Sequence, residues 1–115
     1  MADLLVDTDI FVDHLRGARD LAQGKHRLHH SVITRAELVA GTSASDLIVH
    51  LLAPFRELPV DRAVAERAGR IRREAGTRLP DALIAATALV HGLGLVTRNR
   101  SDFESIRGLR LRTLG

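Results

Sequence analysis

The chain has no cysteine, tryptophan or tyrosine, and only one methionine, three prolines and three phenylalanines. Without cysteine, disulfides, thiol nucleophiles and cysteine-based zinc sites are excluded. With 3% aromatic residues, no platform for stacking successive bases is expected. No apolar run approaches the roughly 20 residues that span a bilayer. The opening "MADLLVDTD" has no basic region ahead of an apolar one, so it does not read as a signal peptide. No linker, internal repeat or low-complexity tract divides the 115 residues, so one domain over 1–115 is expected, in a reducing cytoplasm.

Lysine is also nearly missing. Of 17 basic residues only Lys25 is lysine, and the formal net charge is +3. Arginine makes planar, bidentate contacts with phosphate, which suits a nucleic-acid partner. The same Ala-, Leu- and Arg-rich composition also follows from GC-rich coding. If nucleic acid binds, its backbone should supply most of the contact. The arginines between Arg62 and Arg73 read as a solvated helix face.

What is present is an alternation of apolar runs and helical patterns. Leu4–Asp7 reads as a buried parallel strand stopped by an acid. A helix over 9–16 follows, with Ile10, Phe11 and Leu15 near one face and Gly17 as its stop. "LHHSVIT" over 28–34 is a second strand, and "TRAELVAG" opens a helix that ends at Gly41. A helix over 45–53 stops before Pro54. A short strand covers 57–60, and an Arg-rich amphipathic helix runs from 61 to 75. "LPDALIAATALVHG" is a helix from Pro80, apolar nearly all round and so buried, ended by Gly92. Strands over 93–97 and 109–114 follow, the last alternating like an edge strand. This order predicts an α/β fold, a three-layer αβα sandwich around a parallel sheet of four to five strands. In such sheets ligands bind beyond the carboxyl ends of the strands.

Acids cluster at those ends. Asp7 follows the first strand, with Asp9 two residues on. Glu37 falls in the first helical turn after the second strand, Asp81 opens the apolar helix, and Asp102 follows "LVT". Each has a local explanation. Asp7 or Asp9 caps a helix, Glu37 completes a capping box with Thr34, Asp81 favours the positive end of the helix dipole, and Asp102 shapes a turn. Together, four acids at one end of a sheet would repel and raise their own pKa values, and a divalent cation removes that conflict. Oxygen-only ligands favour Mg²⁺ or Mn²⁺ over zinc. The six histidines show no zinc spacing. His29 and His30 face opposite ways in a strand, and the histidines read as structural or surface groups.

Four segments, "LLVDTDIFVDHLRG", "TRAELVAG", "LPDALIAATAL" and "LVTRNRSDF", resemble the signature segments of PIN-domain ribonucleases, most closely the VapC-type toxins of bacterial toxin–antitoxin pairs. The likeness runs from Leu4 to Phe103 in family order. It implies a PIN-like nuclease fold and Mg²⁺- or Mn²⁺-dependent hydrolysis of RNA. It also implies Asp7, Glu37, Asp81 and Asp102 as the catalytic, metal-holding quartet, with Asp7 and Asp81 as direct ligands. Thr8 and Asn99 match supporting polar positions. Asp9 stands where the family often has Asn or Ser, and so adds a fifth carboxylate. Arg98 and Arg100 flank Asn99 and are candidates to steer the RNA backbone. The implied partners are an RNA substrate, a cognate VapB-type antitoxin and a second copy of the chain, with no membrane.

Two other readings compete. "DTD" resembles the D-x-D of haloacid-dehalogenase-like phosphatases, but that family needs a downstream lysine and Lys25 lies in the wrong region. Receiver domains fail on the same lysine. The non-enzymatic alternative is a PIN scaffold that binds RNA or protein; such domains typically lose acids, whereas here the quartet is intact.

Overall fold

A computed structural model describes residues 2–17, 21 and 26–114; Lys25 lies outside them. β1 (Asp3–Val6) leads to helix α1 (Thr8–Leu15), β2 (Arg27–Ser31), α2 (Val32–Ala40) and α3 (Ser45–Leu52). β3 (Arg56–Leu58), α4 (Arg62–Ala75), α5 (Leu79–His91), β4 (Gly94–Val96) and β5 (Leu111–Arg112) complete the order, with a 3₁₀ turn at Arg100–Asp102. The five strands pair in parallel in the order β3-β2-β1-β4-β5. This is the expected three-layer sandwich, with the last strand at a sheet edge.

The period of two along the strands fills both faces. Leu4 and Val6 of β1 and Val96 of β4 pack with Ile10, Phe11, Leu38, Ile48 and Leu52 from α1, α2 and α3. Leu5 and Leu95 point the other way, into a core built with α4 and α5. In α5, Ala82 and the run Ile84 to Ala88 are buried. Thr87, the polar residue in that run, donates its hydroxyl to the Leu83 carbonyl at 2.8 Å, so its burial leaves no donor unpaired. His30 is fully buried against Glu57 at 3.1 Å and His29 approaches Asp3 at 3.3 Å, which gives both histidines structural partners.

One boundary differs from the sequence reading in a way that matters. Val32 and Ile33 are β-branched and extend the apparent strand to Thr34. In the structure the strand ends at Ser31, whose hydroxyl accepts from the Ile33 N–H at 3.0 Å and caps α2. Thr34 is therefore inside the helix, and the capping box with Glu37 does not form. Glu37 lies on the second turn of α2 rather than the first. Similarly, α5 starts at Leu79 with Pro80 second, leaving Asp81 third in its first turn.

β1 is the branch point of the sheet. The chain moves from β1 outward to β2 and β3, then crosses to β4 on the other side of β1. The crevice at the carboxyl ends of β1 and β4 is thus the topological switch point, where open α/β sheets bind ligands.

Candidate active site

Asp7 is the first residue beyond β1 and caps α1, its Oδ1 accepting from the Thr8 N–H at 2.8 Å. Its own N–H reaches across to the Val96 carbonyl at 2.9 Å, so β4 fixes its height. Thr97, the first residue beyond β4, donates its hydroxyl to Asp7 Oδ2 at 2.8 Å. Asp7 is buried, 6% exposed. Burial first, and the Asp9 charge second, push its pKa from 3.8 up to about 7, against the two hydrogen bonds.

Asp9 organises the loop after β4. Its Oδ2 accepts from the N–H groups of Arg98 at 3.0 Å and Asn99 at 3.1 Å, and at 3.2 Å shares the hydroxyl proton that Thr97 donates to Asp7. Its Oδ1 is buried and meets no donor among the described residues. Thr8 then ties α1 to α2. Its hydroxyl donates to Glu37 Oε1 at 2.7 Å and lies 2.9 Å from the buried Thr34 hydroxyl. Asp81 is half-buried. Desolvation raises its pKa, with Asp102, Glu37 and Asp9 adding to the rise and Arg78, 3.8 Å away, opposing it.

A cleft of about 310 Å³ gathers these groups: Asp7, Asp9, Glu37, Asp81 and Asp102 share its wall with Thr8 and Asn99. Arg16, Arg78 and Arg98 also line it. Arg98 is committed elsewhere, donating to the buried Asp13 at 2.7 Å. Arg100 is exposed on the adjoining 3₁₀ turn and does not line this cleft. All four acids singled out by sequence are therefore brought together with the fifth.

The donor set suits a hard cation. Carboxylate and hydroxyl oxygens line the cleft and no imidazole does. The buried Asp9 Oδ1 has no donor among the described residues, and neighbouring carboxylates add to the rise in pKa that burial causes at Asp7 and Asp81. Among the described residues, however, no three acidic or histidine side chains form a ready-made metal cage. Glu37 is instead engaged by the Thr8 hydroxyl. The cleft thus has the chemistry of a cation site without a cage formed in advance among the described residues.

The model of the PIN domain family matches residues 4–109. The chain belongs to the PIN-domain family. Its relatives include "Ribonuclease VapC10" of Mycobacterium tuberculosis, 38% identical over 120 residues that cover 93% of this chain and 90% of that one. Among solved structures, a toxin–antitoxin complex from Klebsiella pneumoniae superposes with a TM-score of 0.77 at 30% identity, over 97% of this chain and 98% of the other. The DNA-bound VapBC of Salmonella typhimurium superposes at 0.75 and 28% identity, with each chain fully covered.

The contacts of three residues in this PIN domain escape sequence reasoning: Thr34, which reads there only as a helix cap, Thr97, and Asp13, which braces Arg98. Each acts through a partner far away in the chain. The only local hint is Thr97 at the end of "LVT", where the switch-point rule places ligand-facing groups.

Proposed function

We propose that this chain is a Mg²⁺- or Mn²⁺-dependent endoribonuclease, a single PIN domain acting as the toxin of a type II toxin–antitoxin pair. The observation that carries the reading is the single switch-point cleft shared by Asp7, Glu37, Asp81 and Asp102. Its support from relatives lies in their names and assemblies: a ribonuclease and toxin–antitoxin complexes.

Asp7 and Asp81 would hold the ion directly, with Glu37 and Asp102 reaching it through water. Bound there, the ion supplies activation of water and neutralisation of charge on the phosphate. The chain's own residues do the positioning. Thr97 and the Thr8 N–H fix both oxygens of Asp7. Thr8 fixes Glu37, and Asp9 fixes the loop that carries Asn99. The N-terminus of α5 favours negative charge on Asp81. Arg100, exposed on the adjoining turn, would meet the RNA backbone; Arg98 contributes mainly by bracing that loop on Asp13.

The proposed partners are RNA, a VapB-type antitoxin and a second copy of the chain, in a reducing cytoplasm. Among the described residues no helix is long and apolar enough to cross a membrane.

The test is cleavage of total RNA with Mg²⁺ or Mn²⁺, comparing wild type with Asp81→Asn. The variant should lose more than about 100-fold, beyond the 10–100-fold typical of residues that only support a ligand. Equal activity in the variant, or cleavage that survives chelation, would overturn the metal-holding role. RNA binding without any cleavage would point to the scaffold reading instead.

A further inference from the structure

A second cavity, about 610 Å³, lies between α4, α5 and the loop before β5. Arg67 and Arg70 line it from one face of α4, where residues three apart are neighbours. Arg107 faces them from the loop, which is anchored by the buried Phe103 and Ile106 and turned at Gly108, where φ is 82°. Among the described residues none of the three arginines makes an ion pair or a side-chain hydrogen bond. Glu74 shares the wall but is not paired with them. Three guanidinium groups against one carboxylate suit an anionic ligand.

This cavity is not isolated. A third hollow, about 480 Å³, shares Ala75 and Ser105 with it. The same hollow shares Arg78, Asp81 and Asp102 with the acid cleft. Its remaining polar wall carries Thr77 and Ser101, neutral groups of the kind that contact sugar and phosphate oxygens. The three hollows thus adjoin one another in a row, acidic at one end and basic at the other. From Arg67 to Ala75 the helix rises about 12 Å, equivalent to three or four stacked nucleotide steps of about 3.4 Å.

We infer that this row forms a groove that carries the RNA strand away from the scissile bond, with Arg67, Arg70 and Arg107 holding phosphates several nucleotides from the acids. The inference rests on the ribonuclease reading and extends it. It also divides the arginines of α4, whose sequence pattern reads as one solvated face: Arg67 and Arg70 line the cavity, whereas Arg62 and Arg73 do not. An acidic protein segment would satisfy the arginines alone. A strand satisfies both ends, because the phosphate to be cleaved and the phosphates to be held belong to one chain.

The experiment compares two double variants of equal charge change, Arg67→Gln/Arg70→Gln and Arg62→Gln/Arg73→Gln, each also in the Asp81→Asn background to block cleavage. The probe is a fluorescein-labelled oligouridylate long enough to reach from cleft to cavity. Binding is read by anisotropy across a salt series, alongside cleavage of the same oligomer and of a dinucleotide. We expect the groove variant to weaken oligomer binding about tenfold or more and to lower the salt slope by about 1.4, from about 0.7 per single-strand phosphate contact. Its KM for the oligomer should rise, with dinucleotide cleavage unchanged. The control pair should change little, and Arg107→Gln should behave like half of the groove variant. Equal effects of the two pairs, or loss of affinity for a polyglutamate peptide but not for the oligomer, would overturn the groove while leaving the nuclease reading intact. Wild type that binds the oligomer through the arginines but cleaves neither it nor total RNA would overturn the nuclease reading and keep the groove. Wild type that does neither overturns both.

Discussion

The Thr97 hydroxyl donates to Asp7 Oδ2 at 2.8 Å, joining residues 90 positions apart at the ends of two neighbouring parallel strands. The bond exists because β1 and β4 pair with Val6 opposite Val96, which places the next residue of each strand side by side. It is also one of two bonds that oppose the rise in the pKa of Asp7.

Removing that donor should disfavour the charged carboxylate. Hydrogen bonds to charged groups are worth about 1.5–3 kcal/mol, so Thr97→Val should lower RNA cleavage at neutral pH by roughly 10- to 100-fold and move the acidic limb of the pH profile upward. Thr97→Ser keeps the hydroxyl and should retain most activity. A Val variant with the wild-type profile would refute the role.

The same carboxylate makes a stability prediction for metal-free protein. Asp7 holds its proton in the fold up to about pH 7, whereas its ordinary value is 3.8. The fold therefore binds more protons than the unfolded chain between those values, and stability from this group is whole below pH 3.8 and is lost as pH rises to about 7. Asp7→Asn removes the ionisation and keeps an oxygen for the Thr8 N–H. In chelator, the variant should be more stable than wild type at pH 8 by about 2–4 kcal/mol, with little or no gain at pH 4. Urea melts at the two pH values measure this directly. Added Mn²⁺ at pH 8 should raise the Tm of wild type but not of the variant.

What is legible in the sequence follows from where each signal resides. Asp7, Glu37, Asp81 and Asp102 stand in local contexts, a strand end or a helix start, and the alternation of strands and helices puts such places on one rim. The apolar run of α5 likewise announces burial by itself. The bonds that Thr34 and Thr97 make in the site are not legible in the sequence, because their partners lie 26 and 90 residues away. The start of α2 is misread from sequence because Val32 and Ile33 favour a strand locally, while Ser31 supplies a cap that an isolated segment does not reveal. The split between cavity-lining and other arginines of α4 depends on Arg107, which only the fold brings beside them.

The sequence suggests Arg98 for RNA, and its bond to Asp13 gives it a second task. Asp13 is 7% exposed, so losing its guanidinium partner leaves a nearly buried carboxylate uncompensated. Arg98→Ala should cost about 1–3 kcal/mol in chemical melts, and Arg98→Ala/Asp13→Ala should cost less than the sum of the single changes. If Arg98 instead acts chiefly on RNA, stability stays unchanged and oligomer affinity falls.

Asp9 gives the sharpest contrast between scaffold and ligand. Its Oδ2 receives three donors, a task that the carbonyl oxygen of an asparagine would also perform. Its charge, however, is the second-largest cause of the high Asp7 pKa. Asp9→Asn should therefore keep the loop and the fold, and should lower the Asp7 pKa. Activity would extend toward acid by the same amount, as read from the pH profile of RNA cleavage. If the unpartnered Oδ1 serves the cation, the same substitution must also weaken Mn²⁺ binding, measured as a smaller thermal shift. A profile that moves with Mn²⁺ affinity unchanged assigns Asp9 to the loop alone. A profile that stays in place would refute the coupling between the two carboxylates.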